Sequence, residues 1–175
     1  MAVRSFVLSL FALVLAGALH AAPAVAGPIN LPPAAFSEAF QEKLTDDYGE
    51  REGAYLREAI ERALVRALAR VGGQVSPSAG VRIETTIIDA RPNRPTFQQL
   101  SDQPGLDFGR SISIGGAELH AVLRGADGAT LAEVHHRFFE HDIRNVLALT
   151  TWGDARRSID RFARKVAMEY ARVAR

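Results

Sequence analysis

The 175-residue chain has no cysteine, two methionines, one tryptophan and only two lysines, Lys43 and Lys165. Without cysteine there are no disulfide staples, no thiolate nucleophile and no thiolate-bound zinc, so the fold must rest on packing. The same absence removes the acceptor that lipidation of a processed N-terminus requires. Neither sign of charge dominates: the formal net charge is +1. That balance argues against nucleic acid and against an anionic membrane surface as partners. Internal repeats and low-complexity tracts are also missing. The longest strongly apolar run, Phe6 to Leu19, falls short of the roughly 20 residues that span a bilayer.

That run is informative for another reason. Arg4 precedes it and a stretch of small residues follows it, ending in Ala24-Val25-Ala26 before Gly27-Pro28. A positive start, an apolar core and an A-x-A site make a cleavable export signal over residues 1–26, cut near Ala26. The expected product is periplasmic or secreted, holds no stable membrane anchor after cleavage and meets no nucleotide pool or genome. Residues 27–175 then form a single globular domain with twenty basic and twenty acidic residues. A chain of this size can bury a core of its own. Because 19 of its 21 basic residues are arginine, positive charge comes mostly as planar guanidinium, which suits bidentate contact with carboxylate or phosphate.

Periodicity sets out the elements. Gly27 to Ala34 reads as a leader, and Ala35 to Phe40 as a short strand or helix. Leu56, Ile60, Leu64, Leu68 and Val71 make the apolar stripe of an amphipathic helix that Gly72-Gly73 ends. Val81 to Ala90 is rich in β-branched residues and alternates as a strand does. Arg110 to Arg124 and Thr130 to His141 read as two strands joined at Gly125-Ala126-Asp127-Gly128, a hairpin signal. Thr151-Trp152-Gly153-Asp154 fits a capping box that opens a last helix with the stripe Ala155, Ile159, Phe162, Val166, Tyr170. The expected fold class is α/β (α+β): a two-layer domain, with a small mixed sheet of three or four strands and two amphipathic helices on one face. If Ala35–Phe40 is a strand, it forms a β-α-β unit with Val81–Ala90.

No catalytic or metal-binding motif stands out. His135, His136 and His141 lie in a strand pattern whose spacing keeps His135 and His141 about 20 Å apart, and no H-E-x-x-H frame exists. Gly109-Arg110-Ser111-Ile112-Ser113 departs from G-x-S-x-G at its last position. No cofactor and no metal is expected. The alternative is a small exported hydrolase or metal-dependent enzyme using Asp89 and His135 or His136 with Ser111. The most distinctive segment is the connection from Asp89 through Gly109, long enough to be functional. Pro92 and Pro95 stiffen it, Phe97, Leu100, Leu106 and Phe108 offer apolar anchors, and Thr96 to Gln99 can cap one helical turn. Its residues 91–108 form either a binding surface or a lid whose arginines pair with Asp89 or Asp102. Read as a surface, the candidate binding residues are Arg91, Asn93 and Arg94, with Trp152 as a neighbouring wall.

The segments "DARPNRPTFQQL", "SIGGAELHAVLRGADG" and "TTWGDARRSIDRFAR", in the order helix, strand, long loop, hairpin, helix, resemble a family of small exported proteobacterial proteins of uncharacterised function. The layout is similar to periplasmic accessory domains such as the amino-terminal domain of the TolB type. The resemblance implies a soluble accessory or binding domain, non-catalytic, facing an envelope protein partner. It brings no catalytic residues with it, and the missing cysteine departs from the lipoproteins among such relatives. The oligomeric state stays open.

Overall fold

The computed structural model describes residues 28–77 and 80–174; the export segment 1–26 lies outside the described residues. Two dipeptide strands, β1 (Ile29–Asn30) and β2 (Ala35–Phe36), precede helix α1 (Glu38–Lys43). Ser37 caps α1 by accepting the Phe40 N–H at 3.2 Å, and its hydroxyl donates to the Ile88 carbonyl at 2.7 Å. A wide turn at Leu44–Tyr48 leads to Gly49, whose φ of 96° only glycine adopts freely, and then to helix α2 (Glu50–Ala69). Strand β3 (Val81–Arg91), helix α3 (Phe97–Asp102), strands β4 (Gly116–Arg124) and β5 (Thr130–Phe139), and helix α4 (Gly153–Val173) complete the order, with a single 3₁₀ turn at Ile143–Asn145.

The sheet runs β1-β3-β4-β5, with β2 also pairing on β3. β1 and β2 lie parallel to β3, while β3–β4 and β4–β5 are antiparallel. One face carries Ile83, Ile87, Leu119, Ala121, Leu123 and Val134, all buried. Helix α4 covers β4 and β5 on that face and packs on α2. Leu56, Ile60, Leu64 and Leu68 from α2 meet Ile159, Phe162, Val166 and Tyr170 from α4 in one core. The other face is open and charged: Glu84 pairs with Arg82 and Arg124, and Glu118 with His135 and Arg137.

The α/β two-layer class holds, with five strands in place of three or four. The additional strand, β1, lies in the proline-rich leader. Two residues of pairing leave no periodicity in the sequence, so nothing marks them until β3 is beside them. Ala35–Phe40 divides into strand and helix at the Ser37 cap. The strand read from Arg110 begins only at Gly116, which lengthens the connection before it. Val71 lies past the end of α2 and is exposed. The capping box at Thr151 does not form; Trp152 occupies the cap position without a side-chain capping bond, and Asp154 is engaged elsewhere.

Candidate functional site

A bulge in β3 prepares the site. Register shifts between Ile87 and Asp89, so the alternation reverses and Ala90 turns into the core. Arg91 then opposes Gly116 and lies over the Phe139 ring, 4.8 Å from its centroid, with Asp89 3.7 Å away. Just over half of its side chain remains accessible.

From Pro92 to Gly115 the chain is pinned by polar contacts. Asn93 is fully buried. Its amide Nδ2 donates to Asp154 Oδ2 at 2.6 Å and to the Ser113 carbonyl at 3.1 Å, while its Oδ1 accepts the Asp154 N–H at 2.8 Å. Its backbone bonds to Thr151 O at 2.6 Å and Ser113 N at 2.9 Å. A Cβ at Gly115 would come within 2.6 Å of Asn93 Oδ1, so glycine is what lets this amide lie against the chain. Arg94 is equally committed: its Nη1 donates to the carbonyls of Phe108 (2.5 Å) and Gly109 (3.0 Å), and its Nε to that of Ala148. One guanidinium thereby joins the 92–115 connection to the 140–152 connection.

The second connection has its own anchor. Glu140, almost fully buried, accepts the N–H groups of His141 and Asp142 and receives Arg157 Nη1 at 3.3 Å. The two backbone donors, led by His141, hold its carboxyl below the usual range against the cost of burial. Arg157 also lies 3.7 Å from Asp154, which accepts the Leu147 N–H.

Trp152 is buried, edge-on to Tyr48 at 5.7 Å between centroids, and its indole N–H donates to Glu52 at 2.5 Å. This pair separates two clefts. Tyr48, Arg91, Pro95, Gln103, Leu106 and Ile112 help line one of about 370 Å³. Burial first, then Asp47 and Asp89, push the Tyr48 hydroxyl up to about 12, so it stays protonated. The second cleft, about 410 Å³, lies between Arg51, Tyr55, Trp152, Phe97, Phe108 and Leu149. Its rim is apolar and uncovered: Leu149 is 90% exposed, Phe97 82% and Phe108 49%.

The four residues singled out from the sequence therefore converge on one end of the molecule in different roles. Asn93 and Arg94 hold the connections, Trp152 backs a cleft, and Arg91 is accessible. Phe97 and Phe108, expected as anchors, point outward. Thr96 and Gln99 form the capping box of α3 and Gln99 is tied to Asp47, so the inner side of the turn is polar and the phenyl ring faces solvent. Leu149 carries no distinctive signal in sequence. The groups of the enzymatic alternative are dispersed: Asp89 binds Lys43, His135 binds Glu118 on the open face, and His136 meets Lys165 under α4. Ser111 accepts from the Asp107 N–H, and Ser113 donates to Pro92 O. Among the described residues, no group of three or more His, Asp and Glu is placed to hold a metal ion. No described helix is long and apolar enough to cross a membrane.

Fold and site together define a two-layer α/β domain with an open sheet face and a braced, partly apolar end. No family model and no curated protein matches the chain. Among solved structures it is similar to a minor lipoprotein from Acinetobacter baumannii, with 12% identity, 85% of this chain and 94% of that one covered, and a TM-score of 0.41. A likeness this distant carries no argument about function.

Proposed function

We propose that the chain is an exported, non-catalytic binding domain of the cell envelope that engages a protein partner through the end bearing the 91–108 loop. The export reading of Arg4 and Phe6–Leu19 supports the address. The observation that carries the surface is the cluster of Phe97, Phe108 and Leu149, exposed together around one cleft although two separate connections supply them. Large apolar side chains held side by side in water mark an interaction site when the backbone beneath them is fixed. Here Arg94 fixes both connections at once, and Arg91 adds a cation at the edge of the neighbouring cleft.

The test places a photo-crosslinking residue at position 97 in cells and identifies the product by mass spectrometry. It then compares a Phe97→Ser, Leu149→Ser chain with the crosslinker moved to position 108. Each anchor is worth about 1.5 to 3 kcal/mol if buried by a partner, so removing both weakens capture by at least roughly a hundredfold. Thermal stability stays unchanged, because neither side chain supports the core. Undiminished capture by the double variant would overturn the assignment.

A further inference from the structure

Strand β5 ends the sheet, and no described strand lies beyond it. The Glu140 N–H donates inward to Gly115 O at 2.9 Å, and the register from Phe139↔Gly116 to Ala132↔Leu123 runs without a shift. In an antiparallel ladder the residues bonded to one neighbour alternate with those directed away from it. Even-numbered residues of β5 therefore bond to β4. The backbone N–H and C=O groups of Glu133, His135, Arg137 and Phe139 point outward along the free edge. From residue 132 to 139 this edge carries no proline, no lysine and no bulge, three of the protections against strand addition; the register shift at Leu131 ends the regular edge there.

We propose that the free edge of β5 pairs antiparallel with β5 of a second copy, in the register that places His135 opposite its own symmetry mate. Only odd residues direct their bonding groups outward, so odd must face odd, which limits the registers to steps of two. Centring on His135 sets Glu133 against Arg137 of the second copy, twice by symmetry. A step either way gives less. Centring on Val134 sets Glu133 only against His135, and centring on His136 puts Glu133 opposite Phe139 and His135 opposite Arg137. The edge is thus complementary to itself in one register, as a two-fold interface requires. Opposed ion pairs are among the contacts that stabilise neighbouring strands. Glu133, His135 and Arg137 are exposed; Glu133 meets His120 at 3.5 Å and Glu118 is shared by His135 and Arg137, so a second strand competes with these surface contacts. The antiparallel union carries the two 92–115 connections to opposite ends of the joined sheet, leaving both free for the partner proposed above.

Sedimentation velocity of the purified full-chain product across a concentration series reads the result. The expected wild-type behaviour is a reversible shift to twice the monomer mass. Glu133→Arg and Arg137→Glu each set like charges opposite each other at two places and weaken the dimer on the order of tenfold or more. Mixing these two variants restores opposed charges at both places and recovers a one-to-one dimer. His135→Pro removes an outward N–H but no bond to β4, so it gives monomer with an unchanged far-ultraviolet spectrum. Wild-type monomer at every concentration overturns the proposal. So does a dimer that survives both Glu133→Arg and His135→Pro, or a mixture that stays monomeric while each variant is folded.

Discussion

Asn93 shows how a residue read as a contact can instead be the fastener. Arginines and an asparagine around two prolines look like an exposed recognition segment, because polar side chains in a loop usually face water. What reverses this for Asn93 is Asp154, 61 positions later, whose backbone N–H and carboxylate both need a buried partner. No spacing rule connects two such positions. Replacing Asn93 by alanine leaves that N–H and carboxylate without the amide, and the Ser113 carbonyl loses a donor. Asp154 keeps the Leu147 N–H and Arg157, but its Oδ2 and backbone N–H are left buried without the amide, so Asn93→Ala is expected to lose about 2 to 4 kcal/mol of folding stability. Urea denaturation checks it; a loss below about 0.5 kcal/mol would mean the network does not brace the connection. Arg91→Ala, at the accessible arginine, serves as the contrasting substitution in the same experiment.

At the scale of elements, what the sequence makes visible is what repeats. The α2 stripe, the β-branched alternation of β3 and the Asp-Gly turn between β4 and β5 each place apolar groups on one face over several residues, and all three form. The dipeptides β1 and β2 have no such run, and their pairing is decided by β3, which lies some fifty residues away. The short helix α3 is the exception, legible because its cap is local: Thr96 accepts the Gln99 N–H at 3.2 Å and Gln99 returns a bond to the Thr96 N–H at 3.1 Å. Its orientation was not legible, because Asp47, which holds Gln99 inward, comes from another part of the chain. Thr96→Ala removes one side of this exchange and costs about 1 kcal/mol. Since α3 lies on the surface and carries no buried side chain, the loss is expected as faster amide exchange confined to residues 97–102. A fall in the global unfolding midpoint with no local change would contradict this placement.

The whole molecule adds a property that no single element has: a helix layer closing over one sheet face while cationic groups lie between them. His136 sits there, buried, with Lys165 3.2 Å from its Nδ1 and its Nε2 lacking a protein partner. Burial first, then Lys165, Arg161 and His135, lower its pKa, so the folded protein holds it neutral where the unfolded chain would bind a proton. Because the unfolded state takes up more protons, stability rises with pH in this window. The contribution is fully present above the unfolded value of about 6.5 and is lost as pH falls from there toward the lowered folded value. Glu140 adds a second window further down. Its lowered pKa means stability present above the unfolded carboxylate range, about 4.3, and lost as pH falls through the folded value. Unfolding free energy is therefore expected to decline in two stages on acidification, the first starting near pH 6.5 and the second below about pH 4.5. His136→Phe should abolish the first stage and leave the second, and Glu140→Gln should leave the first and reduce the second, which Glu84 and Asp142 share through their own lowered carboxyls, while lowering stability at neutral pH. The comparison separates a buried neutral histidine from a general effect of net charge, which the single substitution His136→Phe would leave almost untouched. If the first stage persists in His136→Phe, the buried His136 is not its source.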